Sequence, residues 1–323
     1  MRRIGCIIIL IGLLIAGGLT FNFVQGWTGR GPTATDVSFT VPEGASLTAA
    51  AVKLRREGII RSADAFVLRA KLFAHGAEVK SGEYLIPAGA SNREILKILS
   101  GGVGVNRFVT IPEGMPSIMV YERLMKVDGL TGVIPVPEEG SVLPDTYAYD
   151  KGDSRAKILA RMTGAMSRTM KMLWPARSND SVAKTPAEAL TLASIVEKET
   201  AIGSERAMVA GVYSNRVRLH MMLQADPTII YPITKGKPLG RRIRKSEIAT
   251  VNDYNTYAMT GLPKGPIANP SRASIEAVLN PEKTAALYFV ADGKGGHIFA
   301  NTLEQHNENV RKWFEIRRQR GEL

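Results

Sequence analysis

The feature that most restricts how this chain can fold stands at its start: from Ile4 to Val24 no side chain carries a charge. An α-helix rises about 1.5 Å per residue and needs about 20 such residues to cross the hydrocarbon core of a bilayer. Arg2 and Arg3 precede the run and the next basic residue is Arg30. That asymmetry predicts an N-terminus in the cytoplasm and the remainder of the chain on the outer, periplasmic face. The competing reading is a cleaved signal peptide with Ala16-Gly17-Gly18 as its processing site. Such peptides have a shorter apolar stretch, whereas this one continues through Leu19, Phe21 and Phe23. The expectation is therefore an uncleaved single-pass anchor, residues 1–25, in the cytoplasmic (inner) membrane. Cys6, the only cysteine, lies before most of the run. A lipoprotein-type cleavage site, an internal disulfide and a cysteine-rich metal centre are thereby excluded.

With 45% apolar and 22% charged residues, the rest of the chain has the balance of a folded globular protein. A formal charge of +12 suits an anionic partner, which could be nucleic acid, lipid headgroups or an acidic polymer. The basic clusters at 241–245 and 311–320 each read, taken singly, as solvated surface. Export argues against nucleic acid, as does a 241–245 cluster without aromatic residues.

Beyond a Gly-, Thr- and Pro-rich linker, 26–36, one short pattern recurs. Val41-Pro42-Glu43-Gly44-Ala45-Ser46 returns as Ile111-Pro112-Glu113-Gly114-Met115-Pro116, and more loosely as Ile86-Pro87-Ala88-Gly89-Ala90-Ser91. Each copy predicts a strand ended by proline, a turn supplied by glycine and a helix, with Ser46 or Ser91 as cap. The helices expected are Leu47–Glu57, Asn92–Leu99 and Ser117–Met125. The common turn chemistry of Pro and Gly would give the same likeness without any shared module. Asp128 to Asp150 is rich in Gly and Pro and reads as a connection. A helix follows from Ser154 to Leu173, with Ile158, Leu159, Met162 and Met166 on one face.

Thr185-Pro186-Ala187-Glu188 is the best-defined helix start: threonine at the cap, proline at the first position, glutamate three residues after the cap. In the segment that follows, Leu192, Ile195 and Val196 form an apolar stripe at i, i+3 and i+4, and Glu199 continues it at i+7. Glu197 is expected to turn away toward water. A carboxyl group at the end of an apolar stripe is desolvated, which favours its neutral form and suits a general acid. The same placement also fits a glutamate hydrogen-bonded at the rim of a core.

Polar residues then crowd into stretches expected to be loops: Leu223-Gln224-Ala225-Asp226-Pro227-Thr228, Tyr254-Asn255-Thr256-Tyr257, and Gly261 to Pro270. Amides, carboxylates and aromatic rings of this kind bind glycans, although such loops also serve as rigid connectors. Leu287 to Ala291 and His297 to Ala300 read as two strands joined by a tight glycine turn without phosphate-binding spacing. The four histidines have no metal-ligand spacing and no Gly-x-Ser-x-Gly elbow occurs. Neither a metal nor a cofactor is expected.

Taken in order, Ala193 to Thr200, Leu223 to Thr228, Tyr254 to Tyr257, Gly261-Leu262-Pro263, Phe289 to His297 and Pro144-Asp145-Thr146-Tyr147 resemble the MltG (YceG-like) family of endolytic murein transglycosylases. The likeness runs from the anchor to Trp313. It implies an α+β protein: an N-terminal transmembrane helix, a small LysM-like α/β module (37–105), a connecting region (106–150) and a mixed α+β catalytic domain (151–323). It also implies that the second glutamate of Glu-Lys-Glu, here Glu199, is catalytic, in agreement with the stripe. Substrate-binding residues are then expected at Gln224, Asp226, Thr228, Tyr254, Asn255 and Tyr257. The activity implied is lytic cleavage of the MurNAc–GlcNAc linkage within peptidoglycan strands, giving 1,6-anhydroMurNAc ends and ending strand elongation. The family further implies a partnership with cell-wall synthases (penicillin-binding proteins). Two rivals remain: a muramidase with Asp226 as second carboxylate, and a non-catalytic peptidoglycan-binding scaffold.

Overall fold

The computed structural model describes residues 2–75, 77–101, 104 and 107–322, with side chains from residue 10 onward. The chain divides into two compact units, Met1–Arg107 with Ala148–Lys151, and Phe108–Tyr147 with Gly152–Leu323. Among the described residues helices dominate, and the strands form three two-stranded sheets. The architecture is mixed α+β.

The first unit opens with α1 (Arg2–Thr28), which is long and apolar enough from Leu10 to Thr28 to cross a membrane. The helix runs into the stretch read as a linker, and the reason is local. Trp27 is buried, stacked on Phe73 at 5.8 Å and tilted against Phe66 at 6.1 Å, while Asn92 Nδ2 donates to the Gly26 carbonyl at 2.8 Å. Then come β1 (Val37–Val41), α2 (Leu47–Arg56), α3 (Ala63–Phe73), β2 (Gly82–Ile86) and α4 (Asn92–Gly101). β1 and β2 pair antiparallel, Phe39 opposite Tyr84. Their inner faces bury Phe39, Tyr84 and Ile86 against Leu54, Phe66 and Ile95 in a separate core.

The second unit contains most of β3 (Arg107–Thr110), α5 (Ser117–Lys126), the start of β4 (Thr146–Tyr149), α6 (Arg155–Leu173), α7 (Pro186–Glu199) and α8 (Arg206–Arg218). There follow α9 (Asp226–Thr234), α10 (Lys245–Ile248), α11 (Arg272–Leu279), β5 (Tyr288–Ala291), β6 (His297–Ala300) and α12 (Leu303–Gln319). Its core gathers Met166, Leu192, Ile195, Val196, Val209, Tyr213, Ile275 and Val278 around α7. The stretch read as a connection, 106–150, belongs largely to this unit. Glu139 accepts from the Ser117 backbone N–H at 2.8 Å and so caps α5, which has proline in place of a capping side chain.

All three copies of the Pro-x-Gly pattern take the expected strand, turn and helix. Ala45, Ala90 and Met115 each donate their N–H to the carbonyl of the proline three residues back, at 3.1–3.3 Å. Gly44, Gly89 and Gly114 sit at φ of +73°, +70° and +67°, a region in which a side chain is strained. Ser46 caps α2 and Ser91 forms a capping box with Glu94. The expected helix at Ser154–Leu173 and the strand at His297–Ala300 also form at those positions.

Candidate active site

Helix α7 begins as its sequence predicts: Thr185 Oγ1 accepts from the Glu188 N–H at 3.2 Å. The Glu188 carboxylate reaches back one residue further than a capping box requires, to the Lys184 N–H at 2.6 Å. The rest of the helix departs from the amphipathic reading. Thr191, Ala193 and Ser194 are buried along with Leu192, Ile195 and Val196. Small side chains at 193 and 194 let neighbouring chain approach, and Ser194 Oγ accepts from the Ile267 N–H at 3.0 Å. From Thr191 to Val196 the helix is enclosed on every side and has no face there to give to water.

Glu197 is therefore not solvated. Its side chain is 4% exposed, and Oε2 accepts from the Ser271 N–H at 2.8 Å and the Ser271 hydroxyl at 2.6 Å, where α11 begins. Its other oxygen lies 3.6 Å from Arg206, whose guanidinium also pairs with Glu113 at 2.8 Å. These bonds make Glu197 a structural acceptor that ties α7 to the start of α11.

Glu199 has the opposite surroundings. It lines a cavity of about 410 Å³ together with Tyr213 and Arg216 of α8, Gln224, Asp226, Tyr257, Phe289 and His306. Its Oε1 is enclosed and without a hydrogen-bond partner. Burial, reinforced by the negative charge of Asp226, pushes its pKa up to about 7. A hydrogen bond from Tyr213 and the charge of Arg216 pull the other way without prevailing. Both follow the rule that desolvation and like charge favour the neutral acid, whereas a donor or a cation favours the anion. At neutral pH such a carboxyl can both give and take a proton.

The walls are held firmly. Phe289 meets Tyr213 edge-on, with centroids 5.8 Å apart at 87°. Arg216 is nearly buried and spends its donors on the carbonyls of Leu287 at 2.7 Å and Leu223 at 2.8 Å. It thereby secures the segment before α9 rather than offering a free cation. Gln224 adopts φ +53° and is kept there by its N–H bond to the Thr256 carbonyl at 3.0 Å. Tyr257 donates to Asp226 Oδ1 at 2.7 Å. Just beyond Glu199, Thr200 Oγ1 donates to Glu205 at 3.2 Å, and Glu205 also faces His297 Nδ1 at 2.7 Å.

Of the residues expected from sequence to contact substrate, Gln224, Asp226 and Tyr257 share the cavity with Glu199. The other three have different surroundings. Thr228 is fully buried, its hydroxyl donating to the Ala225 carbonyl at 2.6 Å and lying 2.9 Å from Thr256 Oγ1. Asn255 is fully buried, its amide donating to the carbonyls of Ile248 at 2.9 Å and Thr250 at 2.6 Å while Oδ1 accepts from the Tyr257 N–H. Tyr254 packs on Tyr231 at 4.9 Å and does not line the cavity. Asp226 also opens α9 instead of lying in a loop, with Pro227 in the first turn. Tyr213, Arg216 and His306 line the cavity without having been expected there. The only sequence signal was a tyrosine and an arginine at i and i+3 in a helical stretch.

Among the described residues no group of three or more His, Cys, Asp or Glu side chains is placed to hold a metal ion. The arrangement is a buried carboxyl with a raised pKa beside a second carboxylate, in a pocket of hydroxyl, amide and aromatic groups.

Comparison with known proteins places the chain in a family. A curated protein of Bacillus subtilis (strain 168) named endolytic murein transglycosylase is 29% identical, over 88% of this chain and 87% of its own. One of the same name from Streptococcus pneumoniae (strain ATCC BAA-255 / R6) is 28% identical over 85% of this chain, which spans 58% of that relative. The crystal structure of a yceG-like protein from Listeria monocytogenes superposes with a TM-score of 0.53 at 26% identity, covering 84% of this chain and 98% of that one. The model of the YceG-like family matches residues 39–312, and the chain belongs to that family.

Proposed function

We propose that this chain is an endolytic murein transglycosylase, with Glu199 as its acid/base. One observation carries the reading: a carboxyl with its Oε1 enclosed and unbonded, held near neutrality in its protonation, opens on a cavity with Asp226, Gln224 and Tyr257. Glu199 gives its proton to the oxygen bridging N-acetylmuramic acid to N-acetylglucosamine, and the bond from that oxygen to the anomeric carbon breaks. The carboxylate left behind takes the proton of the muramyl 6-hydroxyl, whose oxygen closes onto the anomeric carbon. One bond is lost, one is formed, and Glu199 ends protonated as it began. No water enters, so a second carboxylate is not required as it is in hydrolytic glycosidases.

Gln224, Asp226 and Tyr257 hold the sugar in this reading. Thr228 and Asn255 act by shaping the segments that carry them, and Tyr254 by packing beside them. The α1 helix anchors the protein in the cytoplasmic membrane with its N-terminus inside, which puts the enzyme where new strands are made. The small unit built on β1, α2, α3 and β2 serves as a LysM-like module, and cell-wall synthases are the partners whose product is cut.

The test is digestion of purified glycan strands with wild-type and Glu199→Gln protein, with the ends weighed by mass spectrometry. Anhydro ends from the wild type and none from the variant are expected; full activity in the variant overturns the reading. The presence of Asp226 in the same cavity makes hydrolysis the alternative, and ends heavier by one water would establish it.

A further inference from the structure

A second depression, of about 480 Å³, lies in the same unit. Its walls are Met115, Pro116 and Met119 around the start of α5, Pro227 and Ile230 of α9, and Ile267. Lys198 and Pro227 line it, whereas their chain neighbours Glu199 and Asp226 line the catalytic cavity. Since adjacent α-carbons are about 3.8 Å apart, the two depressions share a thin wall formed by the end of α7 and the start of α9.

The charges at this groove are already matched, except for one. Lys237 pairs with Glu122, and Glu113 pairs with Arg206. Lys198 is exposed, reaches only the Gly114 carbonyl at 3.5 Å, and among the described residues makes no ion pair. What remains is an apolar trough of Pro, Met and Ile side chains with one unneutralised cation at its rim. Such a surface fits a short peptide rich in methyl groups that carries a free carboxylate. A polar sugar chain fits it poorly.

Resting on the function proposed above, we infer that this groove receives the peptide stem of the muramyl residue whose glycosidic bond lies at Glu199. Muramic acid carries its peptide on a lactyl ether of the same ring that is cut. A stem that crosses the rim formed by the end of α7 and the start of α9 reaches the neighbouring trough. Alanine methyls lie against Met115, Met119 and Ile230, and a stem carboxylate meets Lys198. The groove would thereby select strands that still bear peptides.

The experiment compares the full chain, in detergent, on peptide-bearing strands and on the same strands stripped by an amidase. The readout is the ratio of the two initial rates of fragment release. The wild type is expected to favour peptide-bearing strands by about fivefold or more, the scale of one partly exposed ion pair with some apolar contact. Lys198→Met, which removes the cation, and Met119→Trp, which fills the trough, are each expected to bring the ratio toward one. A wild-type ratio of one, or a ratio that neither variant changes, overturns the groove assignment and leaves the catalytic reading intact. A wild type that cuts neither substrate overturns both. Thermal melts identify a variant that has failed to fold, and Lys198→Met, a change at an exposed residue, keeps the test decisive if Met119→Trp does.

Discussion

Tyr257 donates its phenolic proton to Asp226 across 2.7 Å, and both groups face the cavity that holds Glu199. The pair keeps a carboxylate oriented beside Glu199 without bonding to it. Asp226 thus acts on Glu199 through its charge, while Tyr213 acts through a hydrogen bond, and the two effects have opposite sign.

These signs give a pair of opposed pH shifts. The acid step needs protonated Glu199, so kcat/KM is expected to fall as pH rises through about 7. Asp226→Asn removes the repelling charge, lowers the pKa of Glu199 and moves this limb to lower pH. Tyr213→Phe removes the donor that favours the anion and moves the limb to higher pH. The position of the limb in pH–rate profiles is the measurement, independent of how far each variant lowers the maximum. Two shifts in the same direction would contradict the assignment.

The same carboxyl makes stability depend on pH. Its folded pKa of about 7 stands above the ordinary 4.5. Between these values the native state holds a proton that the unfolded chain has released, so stability declines as pH rises through the window. The decline is about 3 kcal/mol in all. Glu199→Gln is expected to flatten the decline while abolishing catalysis, which thermal melts at pH 5 and pH 7.5 would reveal.

For Glu197 the expected loss is of stability and not of catalysis. Glu197→Ala leaves Arg206 paired with Glu113 alone and removes both acceptor bonds at the start of α11. A loss of about 3 kcal/mol is expected from the unpaired Ser271 donors, with the pH limb of the remaining folded enzyme unmoved. A variant as stable as the wild type would show that Glu197 is solvated after all.

For Asn255 the expected cost is again structural. Asn255→Ala leaves the carbonyls of Ile248 and Thr250 without their donor and should cost about 2 kcal/mol. KM at a permissive temperature is expected to stay at the wild-type value. A large rise in KM with an unchanged melting temperature would return Asn255 to the substrate-contacting set.

The repeated turn offers an internal control. Gly44 and Gly114 share a positive φ, but a Cβ at Gly44 meets nothing within 4 Å whereas one at Gly114 lies 3.3 Å from Glu197 Cγ. Gly44→Ala should cost about 1 kcal/mol from backbone strain alone. Gly114→Ala should cost more, because it also presses on the buried Glu197 side chain, and a comparison of melting curves would separate the two.

What was legible from sequence followed local chemistry. Pro-x-Gly turns, the serine and threonine caps and the hairpin from Tyr288 to Ala300 are decided within a few residues, and they form where expected. Glu199 was legible because i+7 periodicity survives in any straight helix. Glu197 was misread because periodicity assumes one face in water, and only tertiary packing shows that α7 is enclosed by α8, α11 and the Ile267 segment. Asn255 and Thr228 were placed in the site by residue type, yet their side chains complete backbone hydrogen bonding that no sequence pattern announces. Tyr213 and Arg216 were missed for a related reason: Glu199 and the Leu287 carbonyl, which they meet, lie in other elements of the chain.

The bare oxygen of Glu199 has a consequence for inhibitors. A ligand that places a positive charge where the sugar's anomeric carbon sits would draw the proton off the acid and gain an anion as its neighbour. The affinity of amine-bearing sugar mimics should accordingly increase toward alkaline pH, while uncharged mimics that merely accept the proton in a hydrogen bond should bind best in mild acid. A pocket of this kind discriminates among drugs by the acidity of its surroundings.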